Sequence, residues 1–295
     1  MYQKNRFRKK QLNLNIPFLL MGTIAIVVLA GGFVFALQRN DDEIEAPALD
    51  FVEQIVPEEP QLSGTLESRV MFSGTVVTAR AVENEARDAS GSVNWAQVFS
   101  QFSSFVPEQY DEWVVDYECP VTTNSIPYRV QVDNTVFNCE PSVFPEASKY
   151  FTIANIANNH TRDQGDEGFT TTRQNIIDGG LQPVGHWDPR ETSDACEIVG
   201  FTFTLTPTGE TSREVELPVA VCAFHYFEKA PIDSDFAVIE EYARVMPVIG
   251  LMQVGVEYRP SNDDRQQEVA YKLIDRGVDF VVGNSPHWVQ NTEVY

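Results

Sequence analysis

The chain has 295 residues, 43% of them hydrophobic, and a formal net charge of −22. That length buries a full core as one large domain or two small ones. Residues 1–45 hold six Lys/Arg and four Asp/Glu, which leaves fifteen basic against thirty-nine acidic residues for the remainder. Such a surface repels nucleic acid and anionic lipid, and excludes both as direct partners of the globular part.

Residues 1–15 are polar and basic, and Ile16 to Leu37 carry no charge over 22 residues, long enough to cross a bilayer. The basic flank precedes this run and acids follow it, so the reading is a cytoplasmic tail, a transmembrane anchor and an exported remainder. A cleaved signal peptide is the alternative, with Val34-Phe35-Ala36 as its cleavage site; the length of the run favours the anchor. Residues 38–65 are acidic and contain Pro47, Pro57 and Pro60, and read as an extended tether. The globular domain is expected over 66–295.

Within it, Arg69–Phe72 reads as a short strand closed by Ser73-Gly74-Thr75, and Asn94–Phe105 has apolar residues at helical spacing. Trp113-Val114-Val115 begins a strand that ends in Asp116-Tyr117-Glu118-Cys119-Pro120, where Pro120 stops ladder pairing. Val130–Phe137 reads as extended and Pro141–Lys149 as a short helix. Phe151–Ala157 suits a strand buried on both faces, and it switches abruptly to Asn158-Asn159-His160-Thr161-Arg162-Asp163. Gly168–Asp178 reads as a helix capped by Gly179-Gly180. Cys196–Leu205 and Val215–Phe224 alternate like a hairpin around Pro207-Thr208-Gly209. Val245–Gly255 is a further strand, Asp263–Arg276 an amphipathic helix, and Val278–Val282 a last strand running into GNSPHWVQ. The chain stops at Tyr295 after strand-like residues, as a fragment would.

Cys119, Cys139, Cys196 and Cys222 permit three pairings. Export favours disulfides, with Cys119–Cys139 at one edge of the site and Cys196–Cys222 across the hairpin. Four free, buried cysteines are the rival. No CxxC spacing exists, which argues against a thiolate zinc site.

Five segments end in candidate site residues: Gly74-Thr75, Asp116/Glu118, Asn158-Asn159-His160, Gln253 with Glu257, and Ser285/His287. Carboxylate, amide and imidazole groups delivered from separate strand ends are what a hydrolytic metal centre uses. Singly, each has a plain structural explanation, such as a capping histidine or an exposed acid.

Jointly, their order resembles the bacterial capsule-synthesis CapA family, the poly-γ-glutamate biosynthesis proteins related to calcineurin-like metallophosphoesterases. The pieces are Gly74-Thr75-Val76 (family Gly-Asp-Val), Asp116-Tyr117-Glu118 (Asn-Leu-Glu), NNHTRDQGDEGF from Asn158, QVGVEY from Gln253 (His-Trp-Gly-x-Glu-Tyr), and GNSPHWVQ from Gly283 (Gly-x-His-Pro-His-x-x-Gln). The resemblance covers about 66–295. It implies an α/β fold, a four-layer α/β/β/α metallophosphoesterase-like sandwich, preceded here by one transmembrane helix and truncated at its C-terminal end. It implies His160 as the catalytic, phosphate-side histidine and Glu118, Asn159 and His287 as metal ligands. Asp116, Asn158, Asp163, Glu257 and Tyr258 complete the site edge. Thr75, Gln253 and Ser285 depart from the pattern: they stand where the family has an aspartate and two histidines. A divalent ion (Mn, Zn, Fe or Mg) is therefore expected singly and weakly held, or absent.

Two functions follow from the resemblance. One is a membrane-anchored hydrolase of capsule, poly-γ-glutamate or envelope-polymer synthesis, at the cell membrane with its domain outside the cytoplasm. The alternative is a non-catalytic relative that binds a polyanionic capsule polymer or polymer-synthesis proteins at the same edge. A purely structural surface protein explains the anchor but not the strand-end motifs.

Overall fold

The computed structural model describes residues 64–227 and 229–295. The expected basic tail and apolar run, and nearly all of the tether, lie outside the described residues. Among the described residues no helix is long and apolar enough to cross a membrane. Leu66–Thr206 with Ser212–Tyr295 form one compact unit.

The unit is a mixed α/β fold with two sheets. The first is four-stranded and parallel, in the order β2 (Val70–Val76), β3 (Glu112–Tyr117), β4 (Ile153–Asn155) and β5 (Gln182–Val184). Its strands are short apolar runs, as expected of a sheet covered on both faces. The second has the order β1 (Gly64–Glu67), β6 (Cys196–Pro207), β7 (Arg213–His225), β8 (Val248–Gln253) and β9 (Phe280–Asn284). Strands β6 and β7 form an antiparallel hairpin, whereas β7, β8 and β9 run parallel.

Three buried clusters hold these elements. One lies between the sheets, where Val114, Ile153 and Val184 of the first meet Val199, Phe201, Val221 and Leu251 of the second. A second gathers Val115, Tyr117 and Ala154 with Trp95, Phe99, Phe144, Phe151 and Ile176. The third joins Ala220, Cys222, Phe224 and Val248 to Ile239, Val269 and Leu273. The helices of the unit are α1 (Ala81–Ala86), α2 (Trp95–Val98), α3 (Tyr128–Asn134), α4 (Phe144–Ala147), α5 (Gly165–Asp178), α6 (Thr192–Ala195), α7 (Ala237–Ala243) and α8 (Asp264–Asp275). Removing each Val, Ile or Phe side chain from water contributes roughly 1.5–3 kcal/mol, so these clusters supply most of the driving force.

Both expected disulfides are present, Cys119–Cys139 and Cys196–Cys222. Cys196 and Cys222 are directly opposed in the hairpin register. Two sequence expectations are corrected. The segment read as extended over 130–137 is helix α3 up to Asn134. The alternation of Val130 and Val132 points away from the core, and the buried residue is Gln131 between them. Gln131 Nε2 donates to the Ile126 carbonyl at 2.9 Å and its Oε1 accepts the Asn138 N–H at 3.3 Å, so a local polar lock overrides the strand-like pattern. The helix expected over Asn94–Phe105 is divided into α2 and a 3-10 turn at Phe102–Phe105. Its aromatic spacing serves packing, since Phe99, Phe102 and Phe105 form one continuous ring cluster with Trp113 and Phe151.

Candidate functional site

Parallel pairing puts the carboxyl ends of β2, β3 and β4 side by side: Thr75 is in register with Asp116, and Asp116 with Asn155. A bulge between Phe72 and Thr75, with Gly74 at φ +71°, re-aims the end of β2 so that Thr75 meets β3. In the second sheet the same logic aligns His225, Gln253 and Asn284 at the ends of β7, β8 and β9. The two edges meet at the loop that follows β4. Gly185, at φ +86° after β5, sits so close that an added Cβ would lie 2.7 Å from Ala157 Cβ and 2.8 Å from Ala223 Cβ.

Asp116 is the buried centre of a neutral frame. Its Oδ1 accepts from Asn155 Nδ2 at 3.1 Å and Asn158 Nδ2 at 3.2 Å, and its Oδ2 accepts the Thr75 hydroxyl at 3.1 Å. Burial and the neighbouring Glu118 hold its carboxyl well above the usual range, and the bonds from Asn158 and Thr75 pull the other way. Asn158 then shapes the loop: its Oδ1 accepts the N–H groups of His160 at 3.2 Å and Thr161 at 2.9 Å, an Asx-type turn.

That turn presents His160. Its Nδ1 bonds Asp163 Oδ2 at 2.8 Å, and the same oxygen accepts the Phe137 N–H at 2.7 Å. Phe137 stacks on the imidazole at 4.0 Å between ring centres. With Nδ1–H committed to Asp163, Nε2 is the nitrogen that stands 3.8 Å from Glu118 Oε1. Glu118 is buried, and its Oε2 has no hydrogen-bond partner. Burial raises its pKa, and the fields of His160 and His287 oppose that rise. The position of Glu118 is fixed covalently from the next residue by the Cys119–Cys139 bridge.

The remaining candidates lie in the second sheet. Gln253 is buried and exchanges two bonds with Asn159: the Asn159 N–H donates to Gln253 Oε1 at 3.0 Å, and Gln253 Nε2 donates to Asn159 Oδ1 at 2.9 Å. His287, at φ +51°, has Nε2 3.8 Å from Glu257 Oε1 and stacks on Tyr258 at 5.7 Å. Ser285 is buried and donates to the Gly255 carbonyl at 3.3 Å. Thus Thr75, Asp116, Asn158 and Glu118 form one interacting group, His160 and Asp163 a second beside it, and His287 with Glu257 and Tyr258 a third that reaches Glu118 electrostatically.

This donor set does not fit a two-metal centre. The Asn159 amide oxygen is taken by Gln253, one nitrogen of His160 is taken by Asp163, and Thr75 binds protein. Among the described residues no group of three or more His, Cys, Asp and Glu side chains is arranged to hold a metal ion. What the arrangement offers is the outer ring nitrogen of His160, its other nitrogen held by Asp163, and an unpartnered carboxylate oxygen at Glu118. Sequence reasoning missed Asn155 and Phe137. Asn155 is visible in hindsight as a polar residue in a buried strand, whereas no local pattern marks Phe137.

Residues 69–295 match the family described as bacterial capsule synthesis protein PGA_cap. The chain is 24% identical over 240 residues to the PGA biosynthesis protein CapA of Bacillus subtilis (strain 168), covering 76% of this chain and 58% of that protein. It is 25% identical over 157 residues to the capsule biosynthesis protein CapA of Bacillus anthracis, covering 49% of this chain and 37% of that one. The matched stretch thus spans 58% of the first relative's length and 37% of the second's. With residues 69–295 matched, well over half of its length, the chain belongs to the bacterial capsule synthesis family PGA_cap.

Proposed function

We propose that this protein acts in the assembly of a capsule or poly-γ-glutamate-type envelope polymer, and that its strand-end site binds rather than hydrolyses. The observation that carries the reading is the Gln253–Asn159 exchange. Where the resemblance expects an imidazole and an amide ligand facing a metal, two neutral amides satisfy each other. The printed names of the relatives support the process, and the three buried clusters support a four-layer sandwich of the metallophosphoesterase type. The apolar run 16–37 supports a single membrane anchor, with 1–15 cytoplasmic, 38–65 as tether and 66–295 outside.

The unpartnered Oε2 of Glu118 favours a second reading, a slow hydrolase holding one weakly bound divalent ion. One experiment decides between them. The full chain in detergent is equilibrated with Mn²⁺ or Zn²⁺, dialysed, analysed for metal, and assayed with a chromogenic phosphodiester. The binding reading expects no stoichiometric metal and no turnover above that of His160→Ala. One or two ions retained per chain, or turnover abolished by His160→Ala, overturns it.

A further inference from the structure

Two cations share one indole beside this site. The Arg162 guanidinium carbon lies 3.9 Å from the centre of the Trp187 ring, and Lys229 Nζ lies 4.9 Å from the same centre. The three residues come from the loop after β4, the loop after β5 and the segment after β7, so tertiary structure assembles them. Each is fastened from below. Arg162 Nε donates to Asp166 Oδ1 at 2.7 Å, Lys229 forms an ion pair with Asp188, and His225 bonds the Trp187 carbonyl. The cationic side chains remain open to solvent, at 41% for Arg162 and 39% for Lys229. A third cation approaches the same loop from another segment: Arg80 lies 5.0 Å from the centre of the Phe137 ring, which itself stacks on His160.

We propose that Arg162, Trp187 and Lys229 form a subsite for the carboxylates of an anionic polymer, beside the Glu118–His160 centre. The inference rests on the binding function proposed above and deepens it. A guanidinium and an ammonium held on an aromatic face are oriented and partly stripped of water, which favours carboxylate contact over free hydration. Fifteen cations against thirty-nine acids make most of the surface repulsive to such a ligand, so attraction is confined to places where cations converge; here Asp166 and Asp188 offset part of the charge of Arg162 and Lys229 while holding them in place. Cations reaching the loop from separate segments suit a repeating charge better than a single small anion. Long-range repulsion by the acidic body and short-range attraction at the subsite also respond differently to salt. Raising ionic strength from about 0.01 M to about 0.15 M shortens the Debye length from roughly 30 Å to roughly 8 Å, which screens the first more than the second.

The test is fluorescence anisotropy of labelled poly-γ-glutamate with the full chain in detergent, at both salt concentrations. The expected result is tighter binding at the higher salt, and weakening by about tenfold or more in Arg162→Gln/Lys229→Gln. The control Arg213→Gln/Arg244→Gln removes the same charge from two exposed positions, Arg213 being at the far end of β7, and is expected to bind like the parent. Trp187→Phe, which keeps a ring, is expected to fall between parent and double variant. Equal weakening in both double variants would reduce the effect to net charge and overturn the subsite. Unchanged binding in Arg162→Gln/Lys229→Gln would overturn it while leaving the binding function intact. Polyphosphate competing as well as the polycarboxylate would overturn the carboxylate assignment. No binding by the parent chain would overturn the binding function together with the subsite.

Discussion

Gln253 and Asn159, 94 positions apart in sequence, are joined by two hydrogen bonds that couple the end of β8 to the loop after β4. The pair links the two sheets at the edge where the candidate site lies. Gln253→Ala leaves a buried N–H and an amide oxygen without partners, which costs about 2–4 kcal/mol. Gln253→His supplies the imidazole that the family pattern expects but cannot form both bonds, and is expected to lose about 1–3 kcal/mol. Chemical denaturation measures both losses. A stability equal to that of the parent in Gln253→Ala would show that the pair does not hold the sheets together.

Asp116 gives a pH-dependent prediction. Its carboxyl is held above the ordinary range by burial and by Glu118, so the folded chain keeps a proton that the unfolded chain has released near pH 4. Over that interval the folded state binds more protons, and stability falls as pH rises until the folded carboxyl also ionises. Asp116→Asn still offers an oxygen to Asn155 and Asn158 and has no charge to bury. The variant is expected to be at least as stable as the parent at pH 7, with a flatter pH profile. A steeper profile in Asp116→Asn, measured by denaturation between pH 4 and pH 8, would contradict this.

The Cys119–Cys139 bridge closes a segment with a sequence separation of 20 and adjoins Glu118. Replacing both cysteines by alanine is expected to cost about 2–4 kcal/mol. The loss should also loosen Glu118, so amide exchange at residues 117–119 is expected to rise more than at the Cys196–Cys222 hairpin. Uniform exchange across both regions would remove the proposed link between this bridge and the site.

Gly185 lies where three chain segments nearly touch. Gly185→Ala places a methyl group against Ala157 and Ala223 and also strains a backbone at φ +86°. A loss of about 2–4 kcal/mol is expected, because the neighbours are themselves alanines with little room to yield. A thermal midpoint unchanged from the parent would show that the sheets separate there without penalty.

The parts legible in the sequence were those whose signal is local. Pro120 marked the end of β3, and the abrupt change from Ala157 to Asn158 marked the loop that presents His160. Alternation marked the β6–β7 hairpin, and with it the opposition of Cys196 and Cys222. Asp263 and Gln266 formed the reciprocal cap that starts α8, where helical periodicity had placed it. Helix α3 was misread because Val130 and Val132 alternate on an exposed face while Gln131 does the packing. The stack of Phe137 on His160 and the convergence of Arg162 and Lys229 on Trp187 were invisible for a different reason. Each joins segments that only the sheet topology brings together, and no spacing along the chain encodes it.

Neutral groups hold this edge together: Asn155, Asn158 and Thr75 bond Asp116, and the amides of Asn159 and Gln253 bond each other. A centre held by an ion forms and dissolves with the supply of that ion. Amide cross-links form with the fold itself and do not titrate in the range where carboxylates and imidazoles do. These cross-links are expected to stay in place when chelators strip cations from the surroundings, so ligand binding of the kind proposed above would survive chelation.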